Sequence, residues 1–338
     1  APLYQALVRR GVDVQLWHRL DGLEIDDDRQ VAAIRLTRQA QVHSDIGAYE
    51  PLVRVDGLPC WPAQPRTEQL SRHPGEAESH SWQPGPDCHD VRLVAGADFD
   101  VAVLAVSAGM VPHVAGDLLA ADPRWQAMTD HVATVATQAA QLWLEADESA
   151  LGWDGPAQVT LSGFGDRFDT WASMSHLLPR EDWPSTRPPR SLAYLCGAMP
   201  EVDPSTASAQ VRATLTDYLD HEIGALWPGA VSPRGFRWEL LWDDAGRRGP
   251  DRLSSQYLRA NVDPSDRYVQ SLPGTGRYRI PPGDTGFANL AVAGDWTACG
   301  LDAGCVEAAT RSGVLAARAV LSGQVHPRPT GAEPGARA

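Results

Sequence analysis

The sequence predicts an α/β protein in which an α+β domain is inserted between two α/β portions. Three observations carry that reading. The run VAVLAV at 101–106 is apolar on both faces, the pattern of a buried, parallel strand. The stretch NLAVAGDWTACGLDAGCVEAATRSGVLAARAV at 289–320 reads as a buried strand, a glycine-broken turn and a long helix of small residues. Between them, strand patterns at 137–146, 191–199 and 236–243 surround a helical pattern at 206–227, an arrangement typical of α+β domains.

Taken in order, residues 2–10 place Leu3, Leu7 and Val8 on one helical face, and Gly11 ends that helix. VDVQLW (12–17) reads as a strand. QVAAIRLTRQ (30–39) reads as a second, with Ala32, Ile34 and Leu36 on one face and Val31 and Ala33 on the other. Residues 41–89, rich in Pro, His, Gly and Ser, read as an irregular excursion. DVRLVA (90–95) returns to strand, and the segment after residue 106 leads through a loop into helix. The helix at 206–227 ends before Pro228. The Gly/Pro-rich tail, 324–338, is expected to be disordered. One domain is therefore assembled from 1–40, 90–107 and 286–323, and a second spans 108–285.

Bulk composition excludes several functions. The chain has 338 residues and a formal charge of −14, so it lacks the basic footprint for nucleic acid or anionic lipid. No apolar run is long enough to span a bilayer, and the first residues show no signal-peptide pattern. There is no lysine, which removes Schiff-base and lysine-base chemistry. Cysteines at 60, 88, 196, 299 and 305, without a C-x-x-C, read as reduced thiols of a cytoplasmic protein. His73, His80, Cys88 and His89 match no zinc spacing, so no metal is expected. Ser107 and Ser162 lack a nucleophile elbow, which argues against a hydrolase. His176 and Asp182 read as structural, and Arg277, Tyr278 and Arg279 as a solvated strand end rather than an anion clamp. The chain opens on alanine inside an amphipathic pattern, so a natural N-terminal segment is expected to be missing.

The strand–turn–helix at 289–320 has a definite physical capacity. A helix beginning near Asp302 to Cys305 would present unpartnered N–H groups and a positive dipole end to an anion. Gly300 and Gly304 would let the backbone approach a flat ligand. Asp295, acceptor-only when ionised, would take hydrogen bonds from hydroxyls. An ordinary β-to-α crossover with Asp302 as N-cap accounts for the same residues equally well.

The stretch closely resembles the C-terminal flavin-binding motif of the flavin-containing amine oxidase and phytoene desaturase superfamily. Gly294, Asp295, Trp296 and Thr297 match its strand end. Ala303, Gly304, Glu307, Ala308, Ser312 and Gly313 match its turn and helix. VQLWHRLDGLEI and FDVAVLAVSAG resemble late strands of that family's FAD domain. LPREDWP, SLPGT and RYRIPP resemble a bacterial branch near the carotenoid desaturases. The resemblance implies an incomplete FAD/NAD(P)-binding Rossmann-like domain with an inserted α+β substrate domain. The implied activity is FAD-dependent removal of hydride from an apolar or amine small molecule.

By that resemblance, Asp295 would hold the ribityl or pyrophosphate region. The backbone at Ala303, Gly304 and Cys305 would face the N1–C2=O edge of the flavin, within a set that includes Gly294, Trp296, Gly300 and Leu301. Leu20 would lie against adenine. Two departures stand out. No Gly-x-Gly-x-x-Gly opens the chain, and GFGDRF at 163–168 lies far downstream without the third glycine. The lysine common in the amine oxidases is absent, which favours the desaturase-like branch. An amine oxidase proper and a non-catalytic remnant of the fold are the alternatives, and no catalytic acid or base is assigned.

Overall fold

The computed structural model describes residues 1–62, 64–72, 89–163, 165–183 and 186–327. It is a mixed α/β structure with two compact units. One comprises Ala1–Arg54, Pro59–Thr134 and Tyr268–Ala338; the other comprises Val55–Leu58 and Val135–Arg267.

In the first unit, strands His18–Ile25, Val31–Arg38 and His89–Val94 form an antiparallel sheet in that order. The expected strand at 12–17 does not form. Trp17 takes a φ of +62°, which breaks the extended run, and pairing begins at His18. Of the two candidate faces in Val31–Arg38, Val31 and Ala33 are the buried one. The apolar run at 101–106 yields a short strand, Ala102–Leu104, paired in parallel with Leu290–Val292. All three residues of the latter are fully buried. Short helices at Val111–Val114, Gly116–Ala121 and Pro123–His131 follow, and Leu118 and Trp125 pack into a core with Leu104, Leu290 and Val292.

A side chain joins the sheet to the terminal strand. Buried Asn289 accepts the Val31 N–H at 2.7 Å and donates to the Val31 carbonyl at 3.0 Å, as a neighbouring strand would. Within the excursion, Gln41–Val42 pairs with Leu70–Arg72; residues 73–88 lie outside the described residues. The start of the tail is anchored, with the Val325 N–H on the Ala319 carbonyl and the His326 N–H on that of Ala288. Residues 328–338 lie outside the described residues.

The second unit is built on a five-stranded antiparallel sheet. Its order is Thr160–Ser162, Thr170–Ser173, Ser191–Ala198, Thr137–Leu144, Tyr257–Asn261. Helix Pro204–His221 is capped by Asp203, which accepts the Ser205 N–H at 2.8 Å, and buries Ala207, Val211, Leu215, Tyr218 and Leu219. Trp171 and Trp227 meet edge-on at 6.4 Å in the core. The expected strand at 236–243 is a correction. Only Gly235–Phe236 is strand, and Trp238–Leu240 is a 3₁₀ turn. Leu241 bridges Leu144 alone, and the long partner of Thr137–Leu144 on that side is Tyr257–Asn261. At the GFGDRF stretch the Gly163 N–H bonds the Asp169 carbonyl, and the next element is the strand Thr170–Ser173 rather than a helix.

Asp243 organises the loop after that turn. Its fully buried carboxylate accepts from Ser255 Oγ at 2.6 Å, Arg247 Nη1 at 2.9 Å and the Arg247 N–H at 2.7 Å. Burial alone would raise its pKa, but those donors outweigh burial and hold it at about 2.

Two outcomes follow from this packing. Asn289→Ala leaves both Val31 backbone groups unpaired in the core, and urea unfolding should show a loss of about 2–4 kcal/mol. Asp243 has a folded pKa below its unfolded value, so its contribution is present above the ordinary carboxylate range and lost as pH falls toward about 2. Acid unfolding followed by tryptophan fluorescence should be less steep in Asp243→Asn across that window.

Candidate flavin-binding turn

The buried strand Leu290–Val292 delivers the chain to Gly294, whose φ is +151°. A Cβ there would lie 2.6 Å from Trp296 Nε1, so the turn requires glycine. Trp296 is fully buried and donates to the Val106 carbonyl at 2.9 Å. It thus supports the turn from beneath.

The helix Val306–Leu321 is fastened to the strand end through hydroxyls. Buried Ser312 accepts the Gly294 N–H at 3.1 Å and lies 2.6 Å from Thr297 Oγ1, which donates to the Gly294 carbonyl at 2.9 Å. Helix and turn are therefore joined directly by hydrogen bonds.

Arg279 is the main departure from expectation. Its side chain has no solvent exposure, where a solvated strand end was expected. Nη1 donates to the Asp295 carbonyl at 2.5 Å, and Nη2 to Ser271 Oγ at 3.1 Å. Nε lies 3.6 Å from the Asp302 carboxylate and has no hydrogen-bond partner of its own. Arg277 is exposed over the Tyr278 ring, and Tyr278 stacks on His131 at 4.0 Å. The local sequence RYRI does not separate the buried arginine from the exposed one. The distinguishing partner, Asp302, is far along the chain.

Asp302, expected as the N-cap, does not cap the helix, since it lies three residues before the N-cap position. The helix starts at Val306, with Cys305 as the N-cap residue in extended conformation and no capping side chain. Its first N–H groups thus lack intrahelical acceptors at an end where the dipole is positive. Gly300, Leu301 and Ala303 are exposed in the turn before it, and Gly304 and Cys305 are half-buried. Gly304 packs so closely that a Cβ would sit 2.8 Å from the Val269 carbonyl oxygen and 3.6 Å from Asp295 Oδ2.

Asp295 is half-buried beside Gly304. Burial pushes its carboxyl above the ordinary range, partly offset by its own N–H and the charge of Arg279. Among the described residues, no side chain donates a hydrogen bond to it. It is an acceptor held by its own N–H alone among the described protein donors, beside an uncapped helix end, a donor–acceptor set suited to a ligand with hydroxyls and an electron-rich edge.

The structure therefore brings Gly294, Asp295, Trp296, Gly300, Leu301, Ala303, Gly304 and Cys305 into one turn. Leu20 is elsewhere, half-buried on His18–Ile25 at a bulge, and packs against the same core as Trp296. Cys299 and Cys305 are free thiols, as are Cys60 and Cys196. Among the described residues, no group of three or more His, Cys, Asp or Glu is placed to hold a metal. His73, His80 and Cys88 lie outside the described residues. No helix of the described residues is long and apolar enough to cross a membrane.

The fold and turn are those of a mixed α/β protein presenting an anion-tolerant helix end. Residues 83–321 match the family of flavin containing amine oxidoreductases, and the chain belongs to that family. No curated protein matches it. Among solved structures, it is similar to an oxidoreductase from Methanosarcina mazei, at 12% identity and a TM-score of 0.50. That likeness is one of fold; it covers 95% of this chain and 52% of the other, so the chain spans about half the length of that relative.

Replacing Arg279 by leucine should unpair the Asp295 and Gln270 carbonyls beneath the turn. A loss of about 2–3 kcal/mol in urea unfolding is expected, with Arg279→Lys recovering only part because a single ammonium cannot span the same acceptors.

Proposed function

We propose that the protein is an FAD-dependent oxidoreductase that removes hydride from a C–H or C–N bond of an apolar or amine small molecule. The single observation that carries this is the uncapped start of helix Val306–Leu321 near the half-buried carboxylate of Asp295, to which no side chain among the described residues donates. FAD, when bound, supplies the two-electron redox chemistry. In this reading Asp295 accepts from hydroxyls of the ribityl chain. The N–H groups at Ala303, Gly304 and Cys305 and the helix dipole favour added negative charge at the flavin edge. Gly300 and Leu301 complete the exposed turn, Gly294 and Trp296 hold it in place, and Leu20 lies toward the adenine end.

The portions 1–40, 90–107 and 286–323 would form an incomplete Rossmann-like cofactor domain. The compact unit Val135–Arg267, within the 108–285 span, would be the inserted substrate domain. Absence of lysine supports a desaturase-like reaction, because no lysine-bound water can be placed. The family match supports amine oxidation proper as the second reading. Free thiols at Cys60, Cys196, Cys299 and Cys305 support a reducing compartment such as the cytoplasm.

The test is a visible absorption spectrum with added FAD, recorded for the chain alone and with any in-frame upstream sequence. Bound flavin bands are expected, and Asp295→Ala should weaken FAD binding by about tenfold, the loss of one charge-assisted contact. Amine-dependent peroxide release would select the second reading. Bands in neither form would overturn the proposal.

A further inference from the structure

A concavity of about 490 Å³ in the second unit has no role in the flavin reading. Four arginines line it, Arg234, Arg237, Arg248 and Arg252, against one carboxylate, Glu239. In a chain of net charge −14 this is a local inversion of sign. Two of the arginines are held rigidly. Arg252 donates through Nε to the Arg247 carbonyl at 3.0 Å and through Nη1 to those of Glu239 and Leu241 at 3.0 and 2.6 Å. Arg237 donates to the Glu239 carboxylate at 3.1 Å and the Gly229 carbonyl at 3.2 Å. Carbonyls orient the Arg252 guanidinium without neutralising it, while Arg237 is paired with Glu239; each fork keeps donors to spare. Among the described residues, the side chains of Arg234 and Arg248 have no hydrogen-bond or ion-pair partner, and both are exposed.

The remaining wall is aromatic. Trp238, half-buried, stands edge-on to Phe236 at 5.2 Å and 86°. We infer that this concavity is a binding site for a small phosphorylated molecule whose phosphoryl group is attached to an apolar or aromatic body. Four guanidiniums with one counter-charge repel one another unless a multiply charged anion joins them. Planar forks match phosphate oxygens bidentately. The indole supplies a surface for the apolar body, and the volume falls in the range of about 300–1,000 Å³ typical of small-molecule sites. A nucleic acid is disfavoured, because the rest of the chain would repel a polyanion. The inference does not depend on the flavin reading.

The experiment is calorimetric titration of the whole chain with phenyl phosphate, inorganic phosphate and phenol. Saturable binding of phenyl phosphate is expected, tighter than inorganic phosphate, weakened by added salt and not shared by phenol. The double variant Arg234→Gln/Arg248→Gln changes exposed side chains only, and should lose about tenfold in affinity with an unchanged thermal midpoint. Trp238→Leu should narrow the preference for phenyl phosphate over inorganic phosphate. No saturable binding of either phosphate, or binding unchanged in the double variant, overturns the inference. The latter result would place the phosphate elsewhere on the chain.

Discussion

The terminal turn depends on one buried guanidinium. Arg279 reaches it from a different segment, donates to the Asp295 carbonyl and to Ser271, and lies 3.6 Å from the Asp302 carboxylate. Only an arginine can do this, because its five donors lie in one rigid plane and its charge persists when it is desolvated. The helix starts after Cys305, beyond Asp302, and no side chain caps it, so the dipole end stays open. A crossover built for stability alone would place a capping side chain there, worth about 1 kcal/mol. The first turn therefore forgoes stability at the point where a ligand edge would be received.

A second constraint keeps this arrangement rigid. Ser312 lies mid-helix, yet its hydroxyl is shared between the Gly294 N–H and Thr297. The strand end, the turn and the helix are thus one hydrogen-bonded body over a buried tryptophan, Trp296. Rigidity of this kind matters more than the strength of any single contact, since preorganised dipoles need no reorientation when charge develops. The raised carboxyl of Asp295 belongs to the same logic: burial that penalises its charge also strengthens any hydrogen bond it accepts.

Much of this was legible in the sequence, and the limits are physical. The run at 101–106 forms a strand paired in parallel with Leu290–Val292, as read, but its burial alternates: Ala102 and Leu104 are buried while Val103 is exposed, so the apolar run overstated burial on the second face. The helix expected at 206–227 was visible by its period, but it runs over Pro204–His221, and a separate 3₁₀ turn, Ile223–Ala225, lies between its end and Pro228. Other elements were hidden. FRWELLWD looks like a strand because it is rich in aromatic and apolar residues, but a 3₁₀ turn at Trp238–Leu240 interrupts it, and the buried apolar residues are those on either side, Phe236, Leu241 and Trp242. Trp17 looks like a strand residue and takes a left-handed conformation, which no composition rule reports. Within the candidate site, glycines and the acidic strand end could be read locally. Arg279 could not, because its burial is decided by partners at 295 and 302.

The same distinction between local and distant partners explains the arginines of the second unit. All five in 234–252 look alike in sequence, as solvated charge in an acidic chain. Folding sorts them. Arg247 is neutralised by buried Asp243, whose depressed pKa reports how completely the pair is satisfied. Arg252 spends its donors on carbonyls of the very turn that replaced the expected strand. Had 236–243 continued as a strand, Glu239 and Leu241 would have pointed those carbonyls at a neighbouring strand, and Arg252 would have had no anchor. The failed strand and the cationic concavity are therefore one structural event, with Trp238 carried to its rim by the same turn.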